Sequence, residues 1–146
     1  MTHIEAAAGT SHFVEANGTK LHYLDYGTAG ERPMLCVHGG AAHAHWFDFV
    51  APAFTRDHHV LALDLRGHGD SAWADPSTYA WKSFADDIDA FVDKLDLRDF
   101  VLVGHSMGGM TVLSHARQFP HRYPKQIVGA AVISSAVEGV AQDVLD

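Results

Sequence analysis

The 146-residue sequence is poor in cysteine, in basic residues and in long apolar runs, and each shortage excludes something. Its single cysteine, Cys36, rules out an internal disulfide; the surrounding apolar run MLCVHGG favours a buried, unreactive thiol over a catalytic one. Ten basic residues against 18 acidic ones give a formal net charge of -8, and no basic run is present. Nucleic acid and anionic membranes are therefore not expected as partners.

The N-terminus lacks the basic and apolar stretches of a secretory signal, and no uncharged apolar run reaches the roughly 18 residues that span a bilayer. We therefore expect a cytoplasmic protein. Hydrophobic residues make up 47% of the chain, which is enough to fill the core of one domain. We expect a loose tail over residues 1–10 and a single domain over residues 11–146.

The order of predicted elements indicates an α/β fold. Two alternating stretches flank Asn17 and Gly18, a strong signal for a β-hairpin. Buried strands are then predicted in MLCVHG, HHVLALDL, FVLVG and QIVGAAVISSA, separated by helices in AHAHWFDFVAPAF, TYAWKSFADDIDAFVDKLDL and MGGMTVLSHARQF. In the second helix, aspartates that include Asp87 lie mostly opposite the apolar face. This order predicts a mostly parallel sheet with helices on both faces and an N-terminal antiparallel hairpin.

The chemistry-bearing residues fall in three glycine-rich loops, HGGAAHAH, DLRGHGDS and GHSMGG, each of which follows a predicted strand. Ligands of open α/β sheets bind beyond the carboxyl ends of the strands. The three loops therefore predict one site at that edge.

Gly104, Ser106 and Gly108 form a G-x-S-x-G pattern between a strand and a helix, the context of a nucleophile elbow. Glycines at the flanking positions let the strand and the helix approach each other closely. Met107 N–H, at the helix N-terminus, is the natural first donor to an oxyanion, and the loop of His38, Gly39 and Gly40 offers the second. The competing interpretation is a chance match in a chain with 13 glycines, in which Ser106 is only a turn residue.

VHGG, DLRGHGDS and VGHSMGG, in this order, resemble the α/β-hydrolase family, and in particular its esterase, haloperoxidase-like and carbon-carbon bond hydrolase branch. The resemblance covers the chain from about His12 to Ala136. It implies that Ser106 is the nucleophile and that Met107 and Gly40 supply the oxyanion N–H groups. Serine at the elbow disfavours the family's epoxide hydrolases and haloalkane dehalogenases, which use aspartate there.

The same resemblance implies supporting roles for the residues around the elbow. His38 and Gly39 resemble the turn that presents the second donor, and the loop that begins at Arg66 resembles the one that braces the site. Gly40 and the alanine after it depart from the H-G-x-P form common in the family. For Arg66 we expect a tie to loop carbonyls or to a carboxylate such as Asp64, rather than a substrate contact.

No metal or organic cofactor is implied. His38, His43 and His45 could form a metal cluster, but no cysteine pair or H-E-x-x-H spacing supports zinc. His105 is adjacent to the elbow serine, but neighbouring elbow side chains point apart, which argues against His105 as the base.

The family order of nucleophile, acid and histidine is not completed here. No histidine follows His121, and Glu138 is an acid candidate in a less usual position. We therefore expect the N-terminal portion of a serine hydrolase acting on a small, largely apolar ester or related carbonyl compound, with the triad acid and histidine supplied by a complementing C-terminal segment. Two alternatives stay open: an inactive binding or assembly module that pairs through its sheet edge, for example as a homo-oligomer, and a pocket that captures a carbonyl ligand without turnover.

Overall fold

The computed structural model describes residues 5–135, which fold around one six-stranded sheet. The strands are β1 (Thr10–Ala16), β2 (Thr19–Asp25), β3 (Arg32–Val37), β4 (His58–Leu63), β5 (Phe100–His105) and β6 (Ile127–Ile133). They are ordered β1-β2-β4-β3-β5-β6 across the sheet. Strands β3 to β6 run parallel, whereas β1 and β2 are antiparallel to their neighbours. The predicted α/β class with a mostly parallel sheet is confirmed.

The N-terminal hairpin turns where the sequence predicts it. Asn17 and Gly18 have φ angles of 52° and 66°, so both central residues adopt the left-handed conformation of a type I′ turn. Ala16 pairs with Thr19, which sets the register of β1 against β2. Upstream of β1, the N–H of Ala7 donates to the carbonyl of Asp48 at 2.7 Å.

Two α-helices, α1 (Trp81–Lys94) and α2 (Met107–Gln118), pack on the same face of the sheet. Their buried apolar side chains join one core with the sheet: Phe84, Ile88, Phe91, Val92 and Val112 meet Leu35, Val37, Leu61, Leu63 and Leu102. The prediction that Asp87 lies on the solvent-facing side of α1 is wrong, because its side chain is fully buried in this core. A buried partner of opposite charge, described below, explains its position.

Short 3-10 helices cover the other face, over Ala44–Phe47 and Ala51–Ala53, where the sequence predicts one interrupted helix. Most hydrogen bonds of this segment close three residues back, as from Trp46 N to His43 O and from Ala53 N to Val50 O. Pro52 has no N–H to give to an α-helical ladder, which favours the shorter turns. Their buried side chains pack with Met34, Cys36, Val60 and Ala62.

The strand order places the ends of β3 and β5 at the centre of the sheet. The chain passes from β3 to β4 on one side and then returns past β3 to β5 on the other. Crossovers in opposite directions leave a crevice at the carboxyl ends of the two strands between them. The loops that follow β3 and β5 therefore meet at this point. None of the helices in residues 5–135 is long and apolar enough to cross a membrane.

We predict that Cys36 does not react in the folded protein. It is 2% exposed, and burial raises the pKa of its thiol to about 12, so almost no thiolate forms at neutral pH. Iodoacetamide at pH 7.5 should leave the intact mass unchanged, whereas the same reagent in guanidinium chloride should add one adduct. Alkylation at equal rates in both conditions would contradict the buried position.

Candidate active site

Ser106 is the only residue between the end of β5 and the start of α2. Its φ of 53° and ψ of -117° lie in a region that side chains with a Cβ rarely adopt. The conformation is held by hydrogen bonds on both sides: Ser106 N donates to Ile133 O at 2.9 Å, and Ser106 O accepts from Gly109 N at 2.9 Å. Strain of this kind, on the order of 1–3 kcal/mol, persists only where the surrounding structure enforces it. The turn has the sharp strand-to-helix form of a nucleophile elbow.

The glycines at either side of the elbow allow three backbones to come together. A Cβ on Gly104 would lie 2.3 Å from Gly108 O, and a Cβ on Gly108 would lie 2.2 Å from Val37 O. Real Cβ atoms essentially never approach another atom so closely. The end of β3, the end of β5 and the first turn of α2 therefore touch through bare backbone.

The loop after β3 packs directly against the elbow. A Cβ on Gly39 would lie 3.1 Å from the Cβ of Ser106, and one on Gly40 would lie 3.7 Å from Met107 Sδ. Met107 is the first residue of α2, so its N–H has no acceptor one turn earlier in the helix. The predicted residues of both loops are thus brought together at one place.

His38 fixes the start of this loop. Its Nε2 accepts the N–H of Leu65 at 3.0 Å, which leaves the proton on Nδ1, and Nδ1 donates to Gly39 O at 2.7 Å. Burial lowers the pKa of His38 to about 4, so the ring is neutral at physiological pH. His38 thereby ties the loop after β3 to the loop after β4.

Arg66 braces the site through a carboxylate, and that carboxylate belongs to Asp87 rather than to Asp64. Its Nε and Nη2 each donate to one oxygen of Asp87 at 2.6 Å, and Asn17 donates to the same carboxylate at 2.9 Å. Both members of the ion pair are buried, and the bond to Asp87 raises the pKa of Arg66. This pair ties the loop after β4 to α1 and to the hairpin turn.

Asp64 has a different partner, which the sequence analysis missed. Its carboxylate accepts from His22 Nδ1 at 2.7 Å, from Ala44 N at 2.6 Å and from Asp70 N at 3.0 Å. A Cβ on Gly69 would lie 2.2 Å from the same carboxylate. The spacing of glycine and aspartate in DLRGHGD is the one local signal for the bonds of Asp64 within its own loop. The bond to His22 has no local signal, because His22 is 42 residues away in the chain.

His105 lies beside the elbow but makes no contact that a base would need. Its ring stacks on Trp46 with centroids 5.4 Å apart, and its buried Nδ1 has no hydrogen-bond partner within the described residues. His115 is occupied elsewhere, bonded to Asp89 and Tyr123. Within residues 5–135 no histidine hydrogen-bonds the Ser106 hydroxyl. The acid candidate Glu138 lies outside the described residues.

A largely apolar cavity of about 360 Å³ opens beside the elbow. Its walls are His68, Tyr79, Ala80, Trp81, Phe84 and Met107. A second hollow shares His68 and Tyr79 with the first and extends along the loop toward Trp73, which is 87% exposed. Met107 places the cavity next to the backbone that follows Ser106.

Comparison with known proteins agrees with the fold. The family model described as alpha/beta hydrolase fold matches residues 32–143. An uncharacterized hydrolase, YugF, of Bacillus subtilis is 32% identical over 112 residues, covering 77% of this chain and 41% of that protein. A non-heme chloroperoxidase of Streptomyces lividans is 35% identical over 120 residues, covering 80% of this chain and 43% of that protein.

Among solved structures, a membrane phospholipase A described as a bacterial virulence factor superposes with a TM-score of 0.81 at 29% identity. The match covers 89% of this chain and 41% of that one. The chain thus spans about two fifths of the length of these relatives.

We predict that Gly108→Ala destabilises the protein, although alanine is the better helix former at this position. The new Cβ would collide with the carbonyls of Val37 and His38, which are backbone atoms and cannot move aside. We expect a loss of about 2–3 kcal/mol in the free energy of unfolding, measured by urea denaturation. Gly40→Ala is the matched control, because its Cβ meets only Met107 Sδ at 3.7 Å. Equal effects of the two variants would contradict the close backbone approach.

We also predict a pH dependence of stability that His38 controls. The folded-state pKa of about 4 lies below the ordinary 6.5, so the unfolded chain binds more protons between these values. The free energy of unfolding should therefore fall as the pH drops from 6.5 to 4, by on the order of 3 kcal/mol from this residue. His38→Gln, which keeps an acceptor for Leu65 N, should show a shallower fall in urea titrations. Identical slopes for both proteins would refute the assignment.

Proposed function

Since the chain belongs to the α/β-hydrolase fold family, we propose that it provides the nucleophile and the oxyanion hole of a serine hydrolase. The observation that carries the proposal is the backbone of Ser106, which is strained at φ 53° and ψ -117° between the last residue of β5 and the first residue of α2. Residues in sparsely populated backbone conformations cluster at functional sites, and three contacting backbones hold Ser106 in this one.

In the proposed reaction, Ser106 Oγ attacks the carbonyl carbon of an ester, and the carbonyl oxygen becomes negatively charged. The N–H groups of Met107 and Gly40 receive this oxyanion. The direct packing of Gly39 on Ser106 and of Gly40 on Met107 supports the pairing, as does the free N–H at the start of α2. An oxyanion donor of this kind contributes roughly 100-fold to 1000-fold in rate.

We propose a small, largely apolar ester or related carbonyl compound as the substrate. The cavity beside Met107 supports this class, because its aromatic walls match an apolar group and its volume is about 360 Å³. The exposed rings of Trp73 and Tyr79 extend the same surface.

Ser106 needs a base to become a strong nucleophile at neutral pH. Within residues 5–135, His38 and His115 are hydrogen-bonded to other groups, and His105 stacks on Trp46. We propose that the triad histidine and acid lie outside residues 5–135. We expect the 146-residue chain alone to show little or no ester turnover.

The nucleophile is tested by activity-based labelling of the protein expressed from its complete gene. A fluorophosphonate should phosphonylate the peptide that contains Ser106, as read by peptide mass, because the elbow holds the hydroxyl at the oxyanion donors. Ser106→Ala should remove that adduct entirely while the circular dichroism spectrum stays unchanged.

Ser77→Ala is the control, since Ser77 is exposed and its hydroxyl donates to Asp75 instead of to a catalytic base. Its labelling pattern at Ser106 should equal that of the unaltered protein. Absence of an adduct on Ser106 in a folded sample would overturn the nucleophile assignment and favour a binding or assembly module. Ready hydrolysis of an activated ester by the 146-residue chain, lost in Ser106→Ala, would contradict the expected absence of a base.

A further inference from the structure

A second serine, Ser11, is joined to a histidine and an aspartate in a linear array that the proposed function does not use. Ser11 Oγ is hydrogen-bonded to His22 Nε2, and His22 Nδ1 is bonded to Asp64 Oδ2 at 2.7 Å. Ser11 lies on β1, His22 on β2, and Asp64 directly after β4. The three groups follow the order of a nucleophile, a base and an orienting carboxylate.

The hydrogen bonds around Asp64 fix the proton positions in this array. The carboxylate accepts two backbone N–H groups, from Ala44 and Asp70, and an ionised carboxylate can act only as an acceptor toward His22. In the neutral ring, His22 Nδ1 therefore carries the proton, and Nε2 presents its lone pair. The hydroxyl of Ser11 must then be the donor in its bond to Nε2, which is the arrangement that general-base activation of a serine requires.

The surroundings of His22 hold the ring in place. His22 is 1% exposed, its ring is tilted against that of Phe13 with centroids 5.0 Å apart, and its backbone N–H donates to Ser71 Oγ at 2.8 Å. A carboxylate oxygen of Asp70 lies 3.9 Å from Nε2. Ser11 itself is exposed, so a reagent can reach the hydroxyl without moving the core.

We propose that Ser11 is a second nucleophilic serine and an acylation site for activated esters. In the step, a bond forms between Ser11 Oγ and the acyl carbon, and the bond from that carbon to the leaving oxygen breaks. The serine proton passes to His22 Nε2 and from there to the departing alkoxide or phenolate. Asp64 keeps the ring oriented throughout.

A metal ion is the competing occupant of the same atoms, since His22, Asp64 and Asp70 each offer a ligand atom within 4.8 Å of the others. The structure favours the nucleophile, because Nε2, the ring nitrogen that the bond to Asp64 leaves for a metal, faces the Ser11 hydroxyl. Including a chelator in the experiment keeps a cation from occupying Nε2.

The test uses the 146-residue chain with Ser106→Ala, so that reaction at the elbow cannot contribute and failure of the proposed function does not affect the result. A fluorophosphonate is added with a chelator; Ser11 Oγ should bond to phosphorus as fluoride leaves, giving an adduct that peptide mass locates. Ser77 is the internal reference, since its exposed hydroxyl donates to the Asp75 carboxylate at 2.6 Å instead of to an imidazole. We expect Ser11 to react about 100-fold faster than Ser77, the scale of general-base assistance.

Two further variants separate activation from exposure. Ser11→Ala should remove the adduct and leave the fold intact. His22→Asn keeps a donor for Asp64 but has no acceptor at the Nε2 position, so it should slow labelling of Ser11 to the rate of Ser77. Equal rates at Ser11 and Ser77 in the Ser106→Ala protein would overturn the proposal even if His22→Asn fails to fold. Undiminished labelling of Ser11 in a folded His22→Asn protein would overturn it as well.

Discussion

The contact of bare backbone around Ser106 is the constraint on which the rest of the site depends. Gly104 and Gly108 have no room for a Cβ, because strand β5, helix α2 and the end of β3 meet at atomic contact. Between the strand and the helix, Ser106 has a φ of 53° and a ψ of -117°, a conformation that the surrounding structure must enforce. The position of the helix N-terminus, and with it the free N–H of Met107, follows from the same contact.

Buried charges hold the loops that surround this point. The Asp64 carboxylate accepts hydrogen bonds from backbone N–H groups of two loops and from the ring of His22. The Asp87 carboxylate accepts hydrogen bonds from Nε and Nη2 of Arg66. Breaking one partner of such a pair leaves a buried charge without compensation, which costs several kcal/mol. The loops after β3 and β4 are therefore fixed by polar bonds as well as by packing, and this keeps the backbone N–H groups at the elbow in position.

The sequence predicts those parts of the structure that local physics determines. Asn17 and Gly18 specify a turn because both residues tolerate a positive φ. The spacing of the apolar residues in α1 predicts a helix, because those residues form the face that packs on the sheet. The glycines on either side of Ser106 predict a close approach of strand and helix, because a Cβ on Gly104 or Gly108 would collide with backbone atoms. The prediction for Asp87 is wrong because helical periodicity assigns every charged residue to the solvent-facing side. The partner that lets Asp87 be buried, Arg66, lies 21 residues away in the chain and is invisible to that pattern. The bond between His22 and Asp64 spans 42 residues and depends on strand order, which no local pattern contains.

Ser106 and Ser11 each meet a different part of the requirements for acyl transfer to a serine. Ser106 has the strained backbone, the helix N-terminus and an adjoining apolar cavity, yet no histidine of the described residues contacts its hydroxyl. Ser11 has a histidine held in the required tautomer by a buried carboxylate, yet it lies on an exposed strand without a comparable turn. A base alone assists proton transfer, whereas oriented N–H groups stabilise the charge that develops on the substrate. Because electrostatic stabilisation is usually the larger contribution, the elbow is the better candidate for turnover, and the array at Ser11 is better suited to a single stoichiometric acylation.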